Sequence, residues 1–112
     1  MERWAGLRYN HAMKRSEAIE KLKQQADAIR ALGATSLYLY LFGSVARDEA
    51  GPSSDLDLFI DYDPDKKFSL VDLTGIKLFL EDELATEVDV TTRDSLHPML
   101  KDRIESSALQ VF

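Results

Sequence analysis

The sequence contains no cysteine, which excludes disulfide stapling and thiolate metal sites. It also lacks internal repeats, low-complexity tracts and any apolar run near the roughly 20 residues that cross a bilayer. Near Met1 there is no basic start followed by an apolar stretch and a small-residue cleavage site. We therefore expect a soluble cytoplasmic protein that makes no membrane contact.

An excess of cationic residues is missing as well, since the formal net charge is -6. Broad binding to nucleic acid works through many Lys and Arg contacts to phosphates, so the balance argues against it. The acidity is concentrated between Asp48 and Asp94, whereas residues 1 to 30 are basic. The basic N-terminal part suits an acidic partner.

Apolar spacing predicts the secondary structure of a single domain over residues 15–112, preceded by a loosely ordered arm at residues 1–14. Apolar residues at helical spacing predict three helices, over residues 16 to 32 with a stop at Gly33, from the N-cap Ser69 to Leu84, and from about Asp94. A short helix is expected over residues 44–49. Strands are expected over 36–42, where both faces should be covered, over 55–61 and 87–91, and as an edge over 109–112.

These elements alternate along the chain and predict an α/β (α+β) fold with about four helices on a small sheet of three to four strands. Strand directions do not follow from the pattern. The faces of the second strand are unequal at period two, because Leu56, Leu58 and Ile60 point one way while Asp57 and Phe59 point the other.

Gly43 and Ser44 interrupt the first strand at a point suited to binding phosphate. Glycine lets the backbone approach a ligand closely, and Ser44 begins a helix whose free N–H groups favour an anion. Such a pair also commonly just ends a strand and caps a helix. The acidic residues downstream shift the interpretation toward function.

Asp55 and Asp57 are two apart in the second strand, so their carboxylates share a face and can hold a hard cation such as Mg²⁺. Asp89 lies between two valines in another predicted strand and completes a cluster of three if the strands are neighbours. Two ions held by three carboxylates suit in-line nucleotidyl transfer, with Asp55 and Asp57 on the metal of the triphosphate and Asp89 activating the incoming hydroxyl.

At these residues the chain resembles the nucleotidyltransferase superfamily that includes DNA polymerase beta and aminoglycoside nucleotidyltransferases, and especially its minimal nucleotidyltransferases. The likeness covers residues 16 to 112 and runs through Phe42-Gly43-Ser44-x-Ala46-Arg47, Ser54-Asp55-x-Asp57-Leu58 and Val88-Asp89-Val90. It implies the nucleotidyltransferase fold with a mixed sheet, and nucleotide contacts from Gly43, Ser44, Arg47 and Ser54. Members often carry Gly after the Arg, where this chain has Asp48.

The resemblance also implies ATP as substrate, two Mg²⁺ ions and a HEPN-family RNase toxin as partner. The implied activity is that of an antitoxin that transfers AMP to a tyrosine hydroxyl of the toxin. An antitoxin that only masks its partner, and an adenylyltransferase acting on an antibiotic, stay open as alternatives. The short chain disfavours the second, and homo-oligomerisation also stays open.

Several other conspicuous residues have structural interpretations that compete with functional ones. Arg47 is either a surface cation or a support for the loop or a phosphate. Asp61 to Asp72 is not an EF-hand loop, because Lys66 stands where the loop needs glycine. The alternating Tyr38, Tyr40 and Phe42 are expected in the core rather than on a base-stacking platform.

Overall fold

The computed structural model describes residues 13–33, 37–51, 54–63, 65 and 68–112. Residues 1–12 of the expected arm and Ser36, the first residue of the first predicted strand, lie outside these ranges. Within the described ranges, no helix combines the length and the apolar character that a membrane span requires.

A mixed sheet of four strands forms the centre of the structure. The strands are β1 (Leu37–Phe42), β2 (Leu56–Tyr62), β3 (Val88–Thr92) and β4 (Leu109–Gln110), in the spatial order β3-β2-β1-β4. β1 pairs antiparallel with both β2 and β4, whereas β2 and β3 run parallel. The predicted fold class is confirmed, and β4 is the expected edge strand.

Five α-helices accompany the sheet in the described part of the chain. They are α1 (Arg15–Gln24), α2 (Ala26–Gly33), α3 (Gly43–Ala46), α4 (Leu70–Leu84) and α5 (Pro98–Ser107). Ser69 caps α4 as predicted: its hydroxyl accepts the Asp72 N–H at 3.3 Å, and the Asp72 carboxylate accepts the Ser69 N–H at 3.0 Å. This reciprocal pair satisfies two N–H groups that a helix start leaves without partners.

The single helix predicted over residues 16 to 32 is wrong, because the helix is interrupted at Gln25. The Gln25 N–H bonds to the Leu22 carbonyl at 3.0 Å, and α2 starts at the next residue. Ala18, Leu22 and Ile29 are all fully buried despite the interruption. One residue with ψ near 0° ends the first helix without disturbing the apolar spacing, so periodicity alone does not detect the interruption.

The last helix begins later than predicted. A 3₁₀ turn covers Arg93–Ser95, and α5 starts at Pro98, whose fixed φ suits a first helical position and whose missing N–H costs nothing there. The His97 imidazole accepts the Met99 N–H at 3.2 Å and caps the start. The predicted boundary at Asp94 therefore marks the turn that precedes the helix.

The hydrophobic core lies between one face of the sheet and helices α1, α2 and α4. It is built from apolar side chains at alternate strand positions and along the inner helix faces: Leu37, Leu39, Leu41, Leu56, Leu58, Ile60, Val88 and Val90 from the strands, and Ala18, Leu22, Ile29, Ile76, Leu80 and Leu84 from the helices. The period-two pattern of β2 thus places its leucines and Ile60 as predicted.

The opposite face of the sheet carries aromatic and charged side chains. Phe59 is fully buried and stacks on Tyr40, with ring centroids 4.7 Å apart, while Phe42 tilts against it at 5.8 Å. Arg93 lies over both Tyr40 and Phe59. Tyr38 is 51% exposed, so the expectations that both faces of β1 are covered and that Tyr38 lies in the core are wrong.

Arg93 links this face to α5. Its guanidinium bonds to Asp61 at 2.7 Å and to Glu105 at 2.6 Å, and the two carboxylates keep the pKa of Arg93 above its usual range, Glu105 more than Asp61. Because Glu105 belongs to α5 and Asp61 lies at the C-terminal end of β2, these two ionic hydrogen bonds hold α5 against that end of the strand.

Candidate active site

Gly43 joins β1 to α3 in a conformation that side chains rarely adopt. Its φ is +78°, and a Cβ built there would overlap the Asp57 carboxylate and lie 3.0 Å from the Asp57 Cγ. The backbone turn and the acidic side chain therefore occupy adjoining space, which only glycine permits. Ser44 follows in α3, a single turn whose first N–H groups have no partner within the helix.

Asp57 and Asp89 lie side by side on neighbouring strands. The parallel register pairs Asp57 of β2 with Asp89 of β3, so the two side chains leave the same sheet face. This is the face of Phe59, opposite the hydrophobic core. Asp55, predicted as the first residue of the second strand, instead stands immediately before β2, which begins at Leu56, and Asp55 is exposed.

The carboxylates affect one another electrostatically. Partial burial raises the pKa of Asp57 most, and the negative charges of Asp89 and then Asp55 raise it further, while Arg47 partly offsets them. Like charges so close favour protonation unless a cation is added between them. Asp89 and Asp55 thus both lie within electrostatic reach of Asp57.

The donor set fits a divalent cation. Carboxylate oxygens are hard ligands of the kind that Mg²⁺ takes, and a cation would relieve the repulsion felt by Asp57. Across the described ranges, no three His, Cys, Asp or Glu side chains already meet at ligand spacing. The aspartates are therefore neighbours able to converge on an ion rather than a closed cage.

Arg47 and Ser54 are the other two predicted nucleotide-binding residues outside the glycine turn. The Arg47 Nε donates to Glu49 at 2.9 Å, yet the half-exposed side chain still acts on Asp57. The Ser54 hydroxyl accepts the Gly51 N–H at 2.9 Å, and the Ser54 N–H donates to the Gly51 carbonyl at 3.1 Å. These bonds join Gly51 to Ser54, the residue immediately before Asp55. Nucleotide contacts by both residues remain predictions.

Asp48 occupies the position where the resemblance leads one to expect glycine. Its φ is +59°, in the left-handed region that glycine adopts most easily. Its carboxylate accepts the backbone N–H of Arg15, the first residue of α1, at 3.1 Å. The loop therefore keeps a glycine-like backbone, and the additional carboxylate is bonded to α1.

A cleft with a volume of about 620 Å³ opens beside Gly43 and is walled by α5. Its lining consists of Phe42, Gly43 and Arg47 on one side and of Leu100, Arg103, Ile104, Ser106 and Ser107 on the other. The residues of α5 were missed in the sequence, because an Arg and two Ser on an exposed helix give no signal until the helix is placed over the sheet.

Two comparisons by sequence both find similarity to nucleotidyl-transferring proteins. Residues 14–111 match the model of a family described as the nucleotidyltransferase domain. A candidate protein adenylyltransferase of Methanocaldococcus jannaschii is 46% identical over 71 residues, which cover 63% of this chain and 74% of that protein.

Solved structures share the fold. A candidate minimal nucleotidyltransferase is 30% identical, with a TM-score of 0.61, over 87% of this chain and 95% of that one. A chain of the Shewanella oneidensis complex between a tri-AMPylated HEPN toxin and an MNT antitoxin superposes with a TM-score of 0.59 at 16% identity. The second match covers 80% of this chain and 68% of the other, and it shows likeness of fold alone.

Proposed function

This chain belongs to the nucleotidyltransferase domain family, and on that premise we propose that it is an antitoxin that transfers AMP from ATP to a tyrosine hydroxyl of a HEPN-family toxin. The observation that carries the proposal is the pairing of Asp57 with Asp89 on one sheet face, directly beside Gly43. Gly43 both lines the cleft and lies against the Asp57 carboxylate, so a nucleotide bound beside Gly43 would have its phosphates near this pair.

The site residues have three roles in this reaction: holding the metal, binding the phosphates through backbone N–H groups and adding positive charge. Asp55, Asp57 and Asp89 hold Mg²⁺, which supplies charge neutralisation and in-line alignment of the triphosphate when bound. Gly43 and Ser44 give backbone N–H groups to the phosphates. Arg47 lies on the cleft side of this cluster and adds a positive charge near the same oxygens.

The bond changes are those of a nucleotidyl transfer. The acceptor hydroxyl oxygen attacks the α-phosphorus of ATP and loses its proton to Asp89, which stands at the exposed edge strand where an acceptor can enter. The bond between the α-phosphorus and the oxygen of the β-phosphate breaks, and pyrophosphate leaves. One new phosphodiester joins AMP to the acceptor.

A protein acceptor is favoured by the relatives and by the open cleft. The M. jannaschii relative carries the name of a protein adenylyltransferase, and the S. oneidensis complex holds a tri-AMPylated toxin beside an MNT antitoxin. Among the described residues, the cleft is lined by Phe42, Gly43 and Arg47 around the α3 turn and by α5. Such a site leaves the α-phosphate accessible to a side chain presented by a large partner.

The experiment incubates the purified chain with Mg²⁺, its HEPN partner and ATP labelled at either the α- or the γ-phosphate. We expect label on the partner only from the α position. Asp57→Asn should lower transfer by more than about 100-fold, because it removes a ligand from the metal cluster. Asp82→Asn, which changes an exposed aspartate of α4, serves as the matched control and should transfer normally.

The competing hypotheses give different results in the same assay. Label from the γ position would make the protein a kinase and overturn the proposal. Full neutralisation of the toxin by Asp55→Asn, Asp57→Asn and Asp89→Asn, with no AMP on the partner by mass spectrometry, would favour masking by binding. Transfer to an aminoglycoside but not to the protein would favour the antibiotic-modifying alternative.

A further inference from the structure

Two side chains of α4 bond to the backbone of β3 immediately before Asp89. Lys77 donates to the Val88 carbonyl at 2.9 Å, and Glu81 accepts the Val88 N–H at 3.1 Å. Lys77 and Glu81 also bond to each other at 2.7 Å. The three bonds form a closed triangle between the helix and one residue of the strand.

The position of β3 in the sheet explains why this matters. β3 is an edge strand, so among the described residues only β2 flanks it within the sheet. An edge strand offers unpaired N–H and C=O groups that loosen it or invite another chain. At Val88, the Lys77 ammonium and the Glu81 carboxylate take the place of a neighbouring strand. Lys77 donates to the carbonyl as a strand N–H would, and Glu81 accepts the N–H as a strand carbonyl would.

We propose that Lys77 and Glu81 are positioning residues that fix the register and orientation of Asp89 for metal binding. The inference rests on the proposed function, in which Asp89 is a metal ligand. Val88 is buried in the core, whereas Asp89 is exposed on the other face, so anchoring Val88 from the outer edge holds the peptide that carries Asp89.

The electrostatics agree with this geometry. The hydrogen bond from Lys77 and then that from the Val88 N–H lower the pKa of Glu81. The pKa of Lys77 is raised chiefly by its bond to Glu81, and the charges of Glu81, Asp89 and Glu87 add to the effect. Lys77 thus lies within reach of the Asp89 charge while it is bonded to Val88.

The three hydrogen bonds among Lys77, Glu81 and Val88 form a brace between α4 and β3. Exchanging the charges of Lys77 and Glu81 distinguishes this brace from an ion pair that only stabilises the helix. Lys77→Glu combined with Glu81→Lys keeps a pair four residues apart, in the orientation that a helix prefers, and leaves the net charge unchanged. It cannot satisfy Val88 in the same way, because the carboxylate now faces a carbonyl and the ammonium faces an N–H.

The probe is Mn²⁺ alone, titrated into the full chain by calorimetry. We expect binding by the swapped protein and by Lys77→Met to be about 10- to 100-fold weaker, the usual effect of losing a partner that orients a ligand. Lys77→Arg should stay within about threefold of the parent, because it keeps a donor. Lys21→Met, which breaks the comparable pair with Glu17 on α1, is the control and should not change affinity.

Amide exchange by NMR gives a readout that needs no metal. The Val88 and Asp89 amides should exchange faster in the swapped protein than in the parent, at unchanged exchange of α1. Mn²⁺ affinity equal to that of the parent in the swapped protein would overturn the positioning role. If the parent binds no Mn²⁺, the metal site of the proposed function fails. Equal amide exchange in the parent and the swapped protein would show that Lys77 and Glu81 do not hold the Val88 backbone in place, and would overturn the inference by itself.

Discussion

Gly43 shows how one backbone position controls the site. Gly43→Ala forces a side chain into a φ of +78° and into the space of the Asp57 carboxylate. We expect nucleotidyl transfer to fall by about 100-fold, since a shift of roughly 1 Å in a metal-holding group costs that much. Stability should fall by about 1–2 kcal/mol through the left-handed backbone. Labelled AMP transfer and urea denaturation measure the two effects.

The matched control is Gly75→Ala, where an added Cβ meets nothing within 4 Å. That variant should keep full transfer activity. If Gly43→Ala were as active as Gly75→Ala, the close approach of Gly43 to Asp57 would have no role in the reaction.

Asp48 combines two opposing effects in one residue. Its positive φ favours glycine, whereas its carboxylate bonds to the first N–H of α1. Asp48→Ala loses the bond and keeps the strained backbone, so we expect a loss of about 1–2 kcal/mol in urea denaturation. Asp48→Gly loses the bond but relaxes the backbone and should stay within about 1 kcal/mol of the parent. Equal stability of the Ala and parent proteins would contradict this account.

Among the elements, α4 is the helix whose ends are best defined by local chemistry. The reciprocal bonds of Ser69 and Asp72 begin it, and Ala85 ends it with φ +53°. Ala85→Gly removes the left-handed strain and should stabilise the fold by about 0.5–1 kcal/mol. Gly75→Ala, in the helix interior, should add a similar amount through helix propensity. Thermal unfolding of the two single variants and the double variant tests both.

The double variant tests whether these effects are independent, because residues 75 and 85 lie ten positions apart and a Cβ added at Gly75 meets nothing within 4 Å, so the two effects should be additive. A double variant no more stable than either single one would show that the end of α4 is coupled to its middle. Neither change touches the aspartate cluster, so transfer activity should be retained.

At the scale of the whole molecule, the sheet separates stability from chemistry. The core face buries aliphatic side chains under α1, α2 and α4, while the other face carries Asp57 and Asp89 beside a cleft walled by α5. Charges on the second face can therefore be exchanged without opening the core. Three nearby carboxylates lower stability in the absence of a cation.

This division predicts the response of the whole domain to ligand. Saturating Mg²⁺ and a non-hydrolysable ATP analogue should raise the melting temperature, since a ligand at about 100 times its Kd adds roughly 2.7 kcal/mol. Asp57→Asn should abolish most of that rise and unfold no earlier than the parent without ligand, because it removes a repelled charge. Asp82→Asn should respond like the parent. An equal rise in both variants would place the nucleotide elsewhere.

Local patterns in the sequence determined the alternating faces of β2, the cap at Ser69 and the residue types of the acidic cluster. These features follow from side-chain periodicity and from bonds between residues a few positions apart. The tertiary structure alone decided the parallel pairing of Asp57 with Asp89, the cleft wall formed by α5 and the contacts of Lys77 and Glu81 with Val88. Each of these depends on which distant segments share a hydrogen-bond ladder or pack together, and periodicity along the chain carries no information about that choice.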